Sequence, residues 1–193
     1  MQTNEIEIVY ASSPADWRKW LAKNHATKQS VWLVFYNKSS KKESISWSEA
    51  VDVALCFGWI DSKKIKIDAE TSHQFFSKRK AGGTWSKINK EKIQKLIESD
   101  LMTEAGHQSI ATAKQNGSWT ILDEVEELVI PEDLDAALRN KANSKDFFLG
   151  FSKSSKKAIL QWIVLAKRPE TRQNRITEVA ELAQQNLKPK HLQ

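Results

Sequence analysis

The sequence predicts an α+β fold, with a small antiparallel sheet of three to four strands in the N-terminal part packed with a mainly helical C-terminal part. Three observations carry this. The alternating and β-branched runs all lie before about residue 85. From Ser86 onward apolar residues recur instead at three- and four-residue spacing, the period of a helix face. The 193 residues are 40% hydrophobic and 28% charged, a balance that supports one compact core and argues against disorder, collagen or a coiled coil. Strands early and helices late describe α+β in one unit. The expected organisation is a single domain over 1–193, with a sheet-containing part at about 1–85, a helical part at about 86–187 and a short C-terminal tail.

Glu5 to Val9 alternates polar and apolar, the mark of a half-buried strand. Ser13-Pro14 starts a helix, the serine as N-cap and the proline at the first position, where its missing N–H costs nothing. Trp17, Trp20 and Leu21 then share one face, to about His25. Val31 to Tyr36 is a continuous β-branched and aromatic run, a central strand. Ser46-Trp47-Ser48-Glu49 reads as a capping box, and the helix it opens ends at Gly58. Ile65 to Asp68 and Gln74 to Ser77 flank a polar connection and form a hairpin.

After Ser86, Ile93, Leu96 and Ile97 mark one helix. A second runs from about Glu104 to Gln115 and stops at Asn116-Gly117. A short helix follows Pro131 through Leu134 and Leu138. Ser155 to Lys167 is apolar on several faces and is expected to be deeply buried. Beyond Pro169 a last helix carries Ile176, Val179, Ala180, Ala183 and Leu187, with Thr171 or Glu170 as its cap.

The formal net charge of +6 is local. Residues 63–95 hold ten Lys and Arg against three Asp and Glu, a net of +7, which leaves the rest of the chain at −1. Residues 120–135 carry seven acids and no base, and 153–175 carry seven bases against Glu170 alone. These blocks either pair across the fold, stand in solvent, or form a surface for an anionic partner. The single cysteine, Cys56, excludes an internal disulfide. Four scattered histidines offer no metal-ligand spacing, so no metal and no cofactor is expected. No apolar run approaches the ~20 residues of a membrane helix and no leader-like segment opens the chain, so no membrane span and a cytoplasmic location are expected. No nucleophile elbow or phosphate-loop pattern is present.

Three segments are the candidates for function. Ser77 to Lys90 joins a strand to a helix through Gly82-Gly83 and supplies Arg79, Lys80, Trp85, Ser86, Lys87 and Asn89. Freed backbone N–H groups, a helix start and flanking cations make an anion site, while a solvated loop explains the same residues. Leu55 to Lys63 supplies Trp59, Asp61 and Lys63. Trp59 is a stacking wall or core, and Asp61 a carboxylate at a pocket mouth or a turn partner. The corner at 166–175 supplies Lys167, Thr171, Arg172 and Arg175. Its arginines bind a carboxylate or phosphate, or pair with an acid in 123–135.

Taken in order, Ala54-Leu55-Cys56-Phe57-Gly58-Trp59-Ile60-Asp61-Ser62, Phe76-Ser77-Lys78-Arg79-Lys80 with Trp85-Ser86-Lys87-Ile88-Asn89, Leu101-Met102 with Ala105-Gly106, and Trp162-Ile163 with Ala166-Lys167, Thr171-Arg172 and Arg175-Ile176 resemble the bacterial YdeI/OmpD-associated (OmdA) family over about residues 45–180. The sequence departs from the family's pattern at Lys78, where a proline is expected. The resemblance implies a stress or bacteriocin/cationic-peptide protection protein linked to an outer-membrane porin, with no defined activity, cofactor or catalytic residue. The leading expectation is a non-enzymatic protein whose three segments meet around a basic, tryptophan-walled cleft for an anionic ligand or protein partner. The alternatives are a nucleic-acid-binding protein, from Phe75, Phe76 and Trp85 interleaved with lysines, and an enzyme using Asp61 with Arg79.

Overall fold

A computed structural model describes residues 6–192, and the chain divides into two compact units, Met1–Trp119 and Thr120–Gln193. In the first unit the order is β1 (Ile8–Tyr10), α1 (Pro14–Asn24), β2 (Ser30–Tyr36), α2 (Trp47–Cys56), β3 (Trp59–Lys66), β4 (Thr71–Lys78), α3 (Lys87–Glu98) and α4 (Glu104–Gln115). The strands form one sheet in the order β1-β2-β4-β3. The α+β class holds, with the sheet in the N-terminal part and helices filling the C-terminal part.

The sheet is not antiparallel throughout. β1 runs parallel to β2, because α1 lies between them and a strand–helix–strand crossover returns the chain in its original direction. The remaining pairs are antiparallel. Among the described residues the first strand is Ile8–Tyr10; Glu5 of the expected strand lies outside them. The hairpin strands are longer than the sequence pattern indicates. A register shift between Asp61 and Lys64 breaks the alternation that would reveal β3, so Trp59 to Asp61 belongs to the strand and not to the turn before it. At the hairpin tip, Asp68 accepts the N–H groups of Glu70 and Thr71 at 2.8 and 2.7 Å, closing the turn with its own side chain.

One face of the sheet builds the core. Val31, Leu33 and Phe35 of β2, Trp59 of β3 and Phe76 of β4 are buried with Trp17 and Leu21 of α1 and with the apolar stripe of α2. Each such side chain contributes roughly 1.5–3 kcal/mol by leaving water. Trp17 also donates its indole N–H to the Ala50 carbonyl at 3.1 Å, which fixes α1 to α2. Both helix starts form as their sequences require. Ser13 caps α1 through the N–H of Asp16, and Ser46 and Glu49 form a reciprocal capping box on α2.

The second unit is helical: α5 (Asp123–Glu126), α6 (Glu132–Arg139), α7 (Ser144–Leu149), α8 (Lys153–Val164) and α9 (Pro169–Gln184). Leu134, Leu138, Phe148, Ile159, Leu160, Ile163 and Ile176 make its core, and Ser144 donates to the Ala180 carbonyl at 3.0 Å to join α7 to α9. Neither Thr171 nor Glu170 caps α9. Arg168 occupies the cap without a side-chain bond, since Pro169 already takes the first helical position. Among the described residues no helix is long and apolar enough to cross a membrane.

Candidate functional site

In the first unit the segments 57–63 and 78–89 meet. The chain leaves α2 through Gly58, whose φ of +69° is a conformation that side-chain-bearing residues rarely adopt. A Cβ there would sit 3.0 Å from the Ala105 carbonyl oxygen and 3.1 Å from the Ser109 Cβ. The Gly58 carbonyl accepts the backbone N–H of Arg79 at 2.9 Å, which holds the end of β4 against the end of α2. α4 docks on the same place, because the Cys56 carbonyl accepts both the N–H and the hydroxyl of Thr103, at 3.1 and 2.6 Å. The helix-end carbonyl is thereby satisfied and the start of α4 fixed.

These contacts border an open cavity of about 410 Å³, within the usual size range of small-ligand sites. Its lining includes Ser109 and Thr112 of α4, Phe57, His25, Arg79 and Trp85. The lining holds three cations, Lys78, Arg79 and Lys80, and no carboxylate. Lys78 donates to the Ala26 carbonyl at 2.7 Å, and Lys80 is exposed.

Arg79 is the unusual member. Its guanidinium carbon lies 3.5 Å from the centroid of the Trp85 ring, a stacked cation–π contact. Nη1 donates to the Thr84 carbonyl at 3.1 Å, whereas Nε and Nη2 are buried and make no hydrogen bond. Burial pushes its pKa down to about 10, against the attraction of Asp61, so it remains a cation at neutral pH. Ser109 Oγ is also buried without a partner. Unpaired buried donors are costly, and a native fold that keeps them calls for a reason.

The other sequence-derived candidates of this unit separate by role. Trp59 is fully buried core rather than an accessible wall, in edge-on contact with Trp20. Asp61 is not part of the cavity lining. Its carboxylate accepts the Trp47 indole N–H at 2.8 Å and the Gln74 amide at 3.3 Å, which leaves no support for an acid–base pair with Arg79. Lys63 lies on the opposite face of the sheet, 5.3 and 5.6 Å from the ring centroids of Trp32 and Phe75. Ser86 caps α3 by accepting the N–H of Asn89, and Lys87 is exposed. Ser86→Ala is therefore expected to cost about 1 kcal/mol in chemical denaturation while leaving any anion response of the cavity unchanged.

In the second unit, Arg172 donates Nε and Nη2 to the two carboxylate oxygens of Asp133 at 2.7 and 2.9 Å. The arginine beside it holds the Asp133 carboxyl below its ordinary value. Arg175 donates to the Trp162 carbonyl and lies over the Trp162 ring. Lys167 is exposed and Thr171 half-buried. The two arginines are thus engaged inside their own unit. Arg172→Met is expected to cost about 0.5–1 kcal/mol, discounted for the partial exposure of the pair. The loss is present above the ordinary carboxylate pKa and fades as pH falls through the lowered value, which denaturation at neutral and acid pH compares.

His25, Phe57, Ser109 and Thr112 are among the cavity residues that sequence reasoning missed. Ser109 and Thr112 share with Ala105 a spacing along one flank of α4 that reads equally as ordinary helix packing, and His25 and Phe57 carry no such signal.

Residues 9–109 match a family model described as a domain of unknown function, DUF8412, over slightly more than half of the chain. The chain belongs to this family. The DUF8412 match takes in α1 to α3, the sheet except Ile8 and the first turns of α4, and with them every cavity residue except Thr112. A second model, described as Bacteriocin-protection, YdeI or OmpD-Associated (OmdA), matches residues 127–186. The resemblance to OmdA is thus supported over the second unit, and the earlier motifs at 54–106 fall within the DUF8412 match. No curated protein and no solved structure matches the chain.

Proposed function

We propose that the protein is a non-enzymatic binding protein that holds a small anionic ligand in the cavity of its first unit, in the service of stress or bacteriocin/cationic-peptide protection. The observation that carries the first part is Arg79, a stacked and buried cation with two donor nitrogens, Nε and Nη2, unpaired, in a cavity whose lining has no acid. The OmdA match supports the second part. Direct capture of cationic peptides by the acidic 120–135 segment gains no support. Glu126 pairs with Lys157, Asp133 with Arg172, and Asp135 with both Arg139 and Lys145. A thermal-shift series with sulfate, phosphate, acetate and benzoate at constant ionic strength tests the binding. A stabilisation seen in wild type and lost in Arg79→Met is expected; no shift with any of these anions overturns it. Unchanged peptide sensitivity after deletion of the gene counts against the protective role.

Nucleic-acid binding is the second reading, and of the aromatics Phe75, Phe76 and Trp85 only Phe75 lies on the surface that favours it. Phe76 and Trp85 are buried. On the sheet face away from the core, however, Trp32, His73 and Phe75 adjoin one another with the Lys63 amine over two of the rings, and Ile8 and Tyr10 beside them are 59% and 47% exposed. Aromatics with cations on an open sheet suit stacked bases and phosphates. In fluorescence-anisotropy titrations this reading requires an oligonucleotide affinity that falls steeply with salt and weakens in Trp32→Ala; a flat salt response excludes it.

A further inference from the structure

The chemical class of the ligand follows from what Arg79 still offers, and this inference rests on the anion-binding reading above. One face of the guanidinium lies on Trp85 and Nη1 is spent on the Thr84 carbonyl. Nε and Nη2 remain. They form one edge of a planar group, with two parallel N–H bonds spaced like the two oxygens of a carboxylate.

Donors and wall point the same way. Lys78 donates to the neutral Ala26 carbonyl and keeps its charge, and Lys80 stands in solvent, so the buried donors left for a ligand are those of Arg79. The donors of that single edge are matched by the two oxygens of one carboxylate. α4 gives Ala105, Ser109 and Thr112 to the lining from successive turns. The remaining wall includes Phe57, Ala26 and Ala105. Ser109 adds a hydroxyl that is buried and unpaired.

We propose that the cavity takes a small monocarboxylate with a compact apolar body, its carboxylate accepting side-on from Nε and Nη2 of Arg79 and from the Ser109 hydroxyl, and its body against Phe57 and Ala105. Because Nε and Nη2 are closed to solvent, the ligand reaches them when the Lys80–Thr84 segment shifts. That segment is built for a small displacement. Lys80, Ala81 and Gly82 are exposed, a Cβ at Gly82 would meet nothing within 4 Å, and the segment is tied by Asn116 and Ser118 to the Ala81 carbonyl and by Arg79 Nη1 to the Thr84 carbonyl.

Isothermal titration of the full chain with benzoate, isobutyrate and inorganic phosphate at fixed ionic strength tests this, on wild type, Arg79→Lys and Ser109→Ala, each checked for fold by circular dichroism. Benzoate or isobutyrate is expected to bind wild type and phosphate to give no heat. Arg79→Lys is expected to weaken the carboxylate about tenfold or more, since an ammonium keeps the charge but loses the paired donors, and Ser109→Ala several-fold. Phosphate binding with both carboxylates silent overturns the carboxylate assignment and leaves anion binding standing. Silence of all three probes on folded wild type overturns both. Equal carboxylate affinity in wild type and Arg79→Lys overturns the paired-donor geometry. Should Arg79→Lys not fold, Ser109→Ala decides, because its hydroxyl makes no bond in the free protein, and unchanged carboxylate affinity there overturns the proposed contact.

Discussion

Gly106→Ala is expected to lower the stability of the protein by about 2 kcal/mol, a fall in Tm of about 4–8 °C for a chain of this length. Two opposing effects set the size. Alanine is the better helix former, by about 1 kcal/mol in a helix interior. Against this, a Cβ at position 106 would lie 2.4 Å from the Cys56 carbonyl oxygen and 2.6 Å from the terminal methyl of Met102. The methionine can swing away, but the carbonyl is the C-terminal end of α2 and already accepts both groups of Thr103. The steric cost therefore falls at the upper end of overpacking effects. Relief comes only by lifting α4 from α2, which carries Ser109 and Thr112 away from Arg79, so probe affinity falls in the same variant. Gly82→Ala, in open space, is the control and stays within about 0.5 kcal/mol. Scanning calorimetry of the two variants compares them, and a wild-type Tm for Gly106→Ala would show that the α2–α4 contact is not close.

Features that depend on near neighbours are legible in the sequence itself. Ser13 with Pro14, the Ser46–Glu49 box and Ser86 act within three residues of themselves, so residue type and spacing determine them. β3 begins earlier than its alternation indicates because its irregularity at 61–64 is created by pairing with β4, which the pattern of a single strand does not record. The parallel β1–β2 edge is of the same kind. Alternation and β-branched runs mark the two strands, but their direction relative to each other is set by α1 crossing between them and by their becoming neighbours in one sheet.

The candidate site divides along the same line. Arg79, Lys80 and Trp85 stand out as a basic, glycine-interrupted segment, and they line the cavity. His25, Phe57 and Ser109 carry no local mark, since what brings them there is the turn at Gly58 and the docking of α4 on Cys56, contacts between residues about 20 to 50 positions apart. Arg172 illustrates the reverse. Its sequence environment allows either a ligand or an acid from 123–135, and two hydrogen bonds to Asp133 assign it to the second.

Arg79→Met is expected to abolish the anion response while making the free protein about 1 kcal/mol more stable. The substitution removes the Nη1 bond to Thr84, worth about 1 kcal/mol, and a cation–π contact worth about 0.5–2 kcal/mol. Methionine recovers part of the second by keeping a long, polarisable chain over Trp85. It also removes two buried unpaired donors, at about 1–3 kcal/mol each, and a charge held away from water. The gain has a defined pH dependence. Arg79 titrates lower in the folded state than in the unfolded one, so the penalty for burying its charge is fully present at neutral pH and relaxes as pH rises through about 10. The advantage of Arg79→Met is accordingly largest at neutral pH and shrinks in alkali. Stability gained where binding is lost is the pattern of a residue kept for function rather than for the fold. Equilibrium denaturation of wild type and variant at neutral and alkaline pH, with and without benzoate, reads all three effects. A variant markedly less stable than wild type at neutral pH would identify Arg79 as a structural residue, and the cavity would lose its reason for keeping a charge.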